Sequence, residues 1–261
     1  MHLHPADAAL LFVAGLLAGV LNAVAGGGTF LTFPALVFTG LDSVVANQTS
    51  TLGVFPGQIA SFWAYRKVLA TKRYLIVALG LASLLGGSLG AVILLVTPTG
   101  AFDRLVPWLL LFATLIFAFG SSLRQRFGLR LATGPDGEMT RSSLTKATVF
   151  QFIIGIYGGF YGAGAGILEL AVLDLLGLDD IHLANAFKVI LTTAFNTLAV
   201  FIFIVAGKVA WPEACIIAVS TVIGGFGGAS VAQRMPASRV RAFVIFVGVF
   251  MTIYFFARTH G

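Results

Sequence analysis

Apolar runs long enough to cross a bilayer core, about 20 residues, recur along almost the whole chain and are separated by short polar or basic connections. Six read as uninterrupted spans, at 44–65, 74–97, 104–121, 182–206, 210–233 and 240–257. Two more, at 8–40 and 146–178, fit neither one span nor two, and glycine interrupts both. The first break reads "NAVAGGGTFLTFP", with Gly26, Gly27 and Gly28 in succession; the second reads "GAGAG" at 162–166. Glycine weakens a helix interior by about 1 kcal/mol relative to alanine, so each run marks a helix that ends inside the apolar region. The pattern predicts an all-α integral membrane protein.

Shifting the sequence against itself by 138 positions exposes a duplication. Ala25, Gly26 and Gly28 fall on Ala163, Gly164 and Gly166, and Ala46 and Asn47 fall on Ala184 and Asn185. Further on, Gly86, Gly87, Gly90, Ala91 and Pro98 meet Gly224, Gly225, Gly228, Ala229 and Pro236. The predicted organisation is a first repeat at 1–123, a polar, turn-rich connecting loop at 124–145, and a second repeat at 146–261. Each repeat holds one glycine-broken segment and three spans. The two "GGxxGA" stretches carry small residues at the spacing that lets membrane helices approach closely, and read as packing.

Composition narrows the function classes. Hydrophobic residues make up 58% of the chain and charged residues 10%, against roughly 25% charged in a soluble domain, so no separate soluble domain is expected. The net charge of +6 sits in connections between spans; it reflects the positive-inside bias and implies no nucleic-acid partner. If the broken segments re-enter, each repeat makes three crossings and the repeats are inverted; if they cross, each makes four and the repeats are parallel. Inversion places the basic connections "YRKVLATKRY" (65–74), the central loop and "QRMPASRVR" (233–241) on one side, which the bias makes cytoplasmic, with Arg104, Lys208 and Arg258 opposite. The N-terminal segment reads as retained, because "MHLHPAD" lacks Lys and Arg. The single cysteine, Cys215, reads as buried packing. The four histidines have no metal-ligand spacing, and nucleophile, Walker and redox motifs are missing, so neither cofactor nor enzymatic activity is expected.

A break inside a membrane segment creates a helix N-terminus there, at Thr29 in the first repeat and near Ile167 in the second. Such an end has unpaired N–H donors and a partial positive charge, which attract anions. Paired breaks in two repeats point to a transporter's central site. Candidate binding groups are Gly26, Gly27, Gly28 and Thr29, with Gly164 and Gly166 in the second copy. Asn47, Thr49, Ser50 and Gln58 join them from the following span, with Asn185, Lys188 and Asn196 in its counterpart. Ser50 aligns with Lys188 and Gln58 with Asn196. Asn22, Tyr157 and Tyr161 precede the breaks and are weaker candidates, since tyrosines also anchor helices.

Lys188 most needs explanation, because a cation within the membrane costs about 2.5–3.5 kcal/mol on insertion scales. It pairs with Glu169 or Asp174, snorkels to the membrane surface, or meets a bound anion. Those two carboxylates are in turn candidates to carry coupling protons.

The stretch "GLLAGVLNAVAGGGTFLTFPALVFTGLDSVVANQTS" resembles the opening of sulfite exporter TauE/SafE family proteins, also called the 4-toluene sulfonate uptake permease family. "GIYGGFYGAGAGILELAVLDLLGLDDIHLANAFK" is similar to that family's second repeat. It departs in its shorter glycine run and in having Val172 opposite Pro34. The resemblance implies a secondary carrier of the bacterial inner membrane for small sulfur-containing anions such as sulfite, sulfonates or sulfoacetate. The competing class is a non-transporting membrane subunit or assembly factor whose glycines serve helix packing.

Overall fold

The computed structural model describes residues 3–24, 26–65, 73–127, 140–175, 181–232 and 237–260. Among them the chain forms ten α-helices and no strand. The first five are α1 (Pro5–Val24), α2 (Thr29–Phe38), α3 (Ser43–Tyr65), α4 (Arg73–Val96) and α5 (Thr99–Phe127). The second five are α6 (Arg141–Phe160), α7 (Ala165–Leu175), α8 (Ile181–Val205), α9 (Trp211–Ala232) and α10 (Ala237–His260). The first residues of α8, α9 and α10 each lie 138 positions after those of α3, α4 and α5. The basic connection at 66–72, residues 128–139 of the central loop, the "GLDD" stretch and residues 233–236 lie outside the described residues.

Helix ends follow local chemistry. Pro98 disfavours helix at Thr97, and α4 stops at Val96. The central connection is shorter than its polarity predicts: α5 runs on to Phe127, and α6 begins at Arg141 because Thr140 caps it, accepting from Ser143 N–H at 3.2 Å.

Burial is inverted relative to a soluble protein. Along α4, Leu81, Leu85, Leu89, Val92 and Val96 form an exposed apolar stripe, and Phe246, Val249, Phe250 and Ile253 do the same on α10. Inside, Asn47, Gln48, Thr49, Ser50 and Thr51 of α3 are buried. A polar interior within an apolar exterior is what a lipid solvent selects. Among the described residues, three helices are long and apolar enough to span a membrane by length and composition: Pro5–Asn22, Arg73–Val96 and Leu183–Val205. Cys215 lies exposed on α9, which corrects its reading as buried packing: it belongs to the outer apolar surface.

Glycines set the close crossings. A Cβ on Gly86 would strike the Phe152 carbonyl, and one on Gly90 the Ile156 carbonyl, so α4 and α6 run side by side in one direction. Gly15 and Gly19 seat α1 against Ser220, Thr221 and Gly224 of α9 in the same manner. Gly53 meets Ile217 and Gly57 meets Thr221, which aligns α3 with α9 as well. Gln58 bonds to Asn196 of α8, while Thr49, earlier on α3, bonds to Ala210 past the end of α8, so α3 and α8 are antiparallel. Swapping the two halves exchanges the pair α1–α9 with α6–α4, α3–α9 with α8–α4 and α2–α10 with α7–α5, while α3–α8 and α5–α10 map onto themselves.

An aromatic core closes one end of the bundle: the Phe33 ring lies 5.6 Å from Tyr161, 5.7 Å from Phe255 and 6.4 Å from Phe102. It fixes α2 against α5, α10 and the end of α6, and so holds the two breaks in place.

The α4–α6 crossing yields a direct test. Gly86→Ala should destabilise the detergent-solubilised protein by about 1–3 kcal/mol through overpacking. Gly80→Ala, which meets nothing within 4 Å, should be neutral or stabilising by up to about 1 kcal/mol. Thermal unfolding of both variants checks this.

Candidate anion site at the helix breaks

At the first break the chain turns back within four residues, and α2 returns beside α1 so closely that a Cβ on Gly28 would lie 2.7 Å from the Ala18 carbonyl. Gly26 takes φ +68°, which side chains disfavour, and its repeat mate Gly164 takes φ +75°. The peptide groups freed by the turn find protein partners. Asn22 Oδ1 accepts from Gly28 N–H at 2.8 Å and from Gly27 N–H at 3.1 Å. At the second break, Asn47 Nδ2 donates to the Phe160 carbonyl at 2.9 Å, and the Tyr157 hydroxyl to the Ala163 carbonyl at 2.7 Å. The N–H donors expected to face an anion are thus partly engaged already. Thr29 N–H and Gly166 N–H make no hydrogen bond among the described residues.

The two breaks touch. A Cβ on Gly26 would lie 3.1 Å from Gly166 Cα, and the reverse contact is also 3.1 Å. Under this junction lies the stem of Lys188, its Cδ 3.4 Å from the position of a Gly26 Cβ. Lys188 is 2% exposed, and its ammonium donates to Asn185 Oδ1 at 3.1 Å. It has no carboxylate partner among the described residues. Glu169 instead accepts from Gln151, and the side chain of Asp174 lies outside the described residues.

Beside the junction is a cavity of about 50 Å³. Asn22, Gly26, Gly27, Thr29, Gln58, Gly166, Lys188 and Asn196 line it. Gln58 and Asn196, equivalent in the repeat, face each other across it, with Asn196 Nδ2 donating to Gln58 Oε1 at 2.8 Å. The cavity continues along α3 to Ser61, which is half-buried. Along α8 its lining runs from Lys188 to Asn196, and the ring of Phe195, 2% exposed, fills the space beside Gly158. Gly57, 138 positions before Phe195, lines the same cavity.

Other sequence candidates stand apart from the cavity. Ser50 is bonded to Thr32 at 2.6 Å, Thr49 accepts from Ala210 N–H at 3.1 Å, and Asn47 holds Phe160 as described. Tyr161 belongs to the aromatic core. Gly164 packs against Ala113 and Phe30, Gly28 against α1, and Asn185 reaches the site only through Lys188. The structure adds Thr51, Ser61, Thr192 and Thr221 to the lining. Ser61 was detectable as the residue one helical turn after Gln58.

Asn22 carries a test of the break itself. Asn22→Ala leaves the Gly27 and Gly28 N–H groups without their acceptor, at about 1–3 kcal/mol for a buried donor. Thermal unfolding should show a loss of this size, with Asn22→Asp retaining more stability than Asn22→Ala.

The chain matches the family described as "Sulfite exporter TauE/SafE" over residues 11–255. It is 27% identical over 246 residues to a "Probable membrane transporter protein" of Haemophilus influenzae, covering 94% of this chain and 92% of that one. It is 26% identical over 260 residues to the "Probable membrane transporter protein YfcA" of Escherichia coli K12, covering 97% and 90%. A "Probable membrane transporter protein ORF9" of Sinorhizobium is 26% identical over 252 residues, covering 94% and 90%. No solved structure matches the chain. A match across nearly the whole chain, with an all-helical fold and apolar spans, identifies this protein as a member of the sulfite exporter TauE/SafE family of membrane transporters.

Proposed function

We propose that the chain is a secondary carrier that moves a small sulfur-containing anion, such as sulfite or a short sulfonate, across the bacterial inner membrane by alternating access. The observation that carries this reading is Lys188: a buried cation with a neutral hydrogen-bond partner and, among the described residues, no carboxylate, lying beneath two touching helix breaks and beside a cavity. A bound anion supplies the missing counter-charge. The amides of Asn22, Gln58 and Asn196 and the hydroxyls of Thr29, Thr51 and Thr192 surround it with neutral groups. A cavity of about 50 Å³ has room for a few waters, which suits a compact oxyanion better than an aryl sulfonate.

The architecture supports the mechanism. In this reading the chain is built of two inverted repeats with re-entrant α1–α2 and α6–α7 hairpins, and the central loop is cytoplasmic. Antiparallel α3 and α8 and the exchange of helix pairs between halves fit that topology. A packing subunit would explain the glycines at the α4–α6 and α1–α9 crossings and would leave Lys188 without a role.

The test is anion counterflow in proteoliposomes. A charge-assisted hydrogen bond contributes about 1.5–3 kcal/mol, so Lys188→Met should lower sulfite counterflow by roughly 10- to 150-fold at unchanged yield of folded protein. Transport at the wild-type rate removes Lys188 from the site.

A further inference from the structure

The second charged side chain that the fold buries among the described residues is Glu169, fully enclosed on α7 three residues after Gly166. Its Oε2 accepts a 3.0 Å hydrogen bond from Gln151 Nε2 of α6, and the same nitrogen donates to Ser83 Oγ of α4 at 2.6 Å. Both protons of that amide are thereby engaged. Gln151 and Ser83 are also fully buried. Two acceptors of the cluster have no partner among the described residues, Glu169 Oε1 and Gln151 Oε1. The cluster therefore has an excess of acceptors and a carboxyl group with no cation bonded to it among the described residues, where Lys188 is bonded to Asn185.

The cluster also breaks the internal repeat. The equivalents of Glu169 and Gln151 are Leu31 and Val13, and that of Ser83 is Thr221, which donates to the Gly53 carbonyl at 3.1 Å. One half thus buries a carboxyl group where the other places an aliphatic side chain. Ionisable groups held inside a membrane bundle mark ion pathways and proton relays.

We propose that Glu169, Gln151 and Ser83 form a proton-binding site, separate from the anion cavity and coupled to it through α7. The proposal rests on the carrier reading and names its coupling ion. Binding is the simple equilibrium of the Glu169 carboxylate with a proton; the new O–H supplies the donor that the cluster lacks, and the charge disappears. Gly166, one turn before Glu169, lines the anion cavity and touches Gly26. A charged Glu169 disfavours an anion there and a protonated one does not, so by linkage each ligand promotes the other. Proton and anion bind together and travel in the same direction. A sodium ion prefers more oxygen ligands than the four offered here, two of which already accept from Gln151 Nε2.

Of the titratable groups on neighbouring elements, Tyr157 lies on α6, Tyr161 just past its end and Lys188 on α8, with Tyr157 bonded to Ala163 and Lys188 to Asn185. Arg141 and Lys146 on α6, Arg104 on α5 and Arg73 and Tyr74 on α4 are exposed, and Asp103 is half-buried. The side chains of Arg124, Arg126, Asp174 and His182 lie outside the described residues.

The experiment uses the full chain in proteoliposomes with sulfite and with methanesulfonate, whose charge is constant across the pH range used. Counterflow at equal pH reads carrier activity alone, and uptake under imposed pH or sodium gradients reads coupling. Wild type should show counterflow and respond to the pH gradient by up to about tenfold per pH unit for a single proton, with no response to sodium. Glu169→Gln, close to isosteric and unable to titrate, should keep counterflow within about threefold and lose the pH response. A Glu169→Gln protein that still follows the pH gradient, or a wild type driven by sodium or by neither gradient, overturns the proposal. Absence of counterflow in wild type overturns the carrier reading instead. Should Glu169→Gln not fold, Glu169→Asp must shift the pH midpoint of wild-type uptake; an unchanged midpoint overturns the proposal.

Discussion

A peptide group without a partner inside an apolar bundle costs several kcal/mol, and the fold is arranged around the two places where its helices stop short. Each stop is enclosed by protein. Asn22 reaches forward to cap Gly27 and Gly28, Asn47 reaches from the first half to hold Phe160 in the second, and Tyr157 closes over Ala163. With most backbone groups satisfied, Gly26 and Gly166 can lie in contact. That contact brings Lys188, the cavity and the amides of Gln58 and Asn196 to one place.

The symmetry of the fold and the asymmetry of its chemistry have different roles. Helix pairs exchange between the halves, and Gln58 bonds to its own repeat mate Asn196. The groups with chemical character lie where equivalence fails. Lys188 stands where the first half has Ser50, Glu169 where it has Leu31, and Phe195 where it has Gly57. In the proposed carrier the two similar halves are a scaffold able to exchange two arrangements, and these departures set the anion and the coupling ion.

How far the residues alone reveal this depends on whether the signal is local. The breaks at Gly26–Gly28 and at 162–166, the start of α2 at Thr29, and the prominence of Lys188 follow from glycine and charge in an apolar run. The reach of α5 to Phe127 and the start of α6 at Arg141 are not legible in composition, which cannot distinguish a polar helix end from a loop; Thr140 as a cap is the local signal. Cys215 was misplaced because a helix apolar on all sides carries no information about which side faces lipid. Asn47, Thr49 and Ser50 were grouped with the cavity since they share its helix, yet their hydrogen bonds run to other elements. Gln151, a single polar residue in α6, gains meaning only through Glu169 and Ser83, which are distant in sequence.

The central claim is a specific anion site at the junction of the breaks, and ligand-dependent stability tests it most directly. The purified protein would be melted with sulfite, sulfate, sulfoacetate, taurine and matched carboxylates at constant ionic strength. An anion at 100 times its Kd should stabilise the folded state by about 2.7 kcal/mol, so selective stabilisation by one sulfur oxyanion or sulfonate, lost in Lys188→Met, is the predicted result. A uniform response to all anions, equal in the variant, would contradict the account.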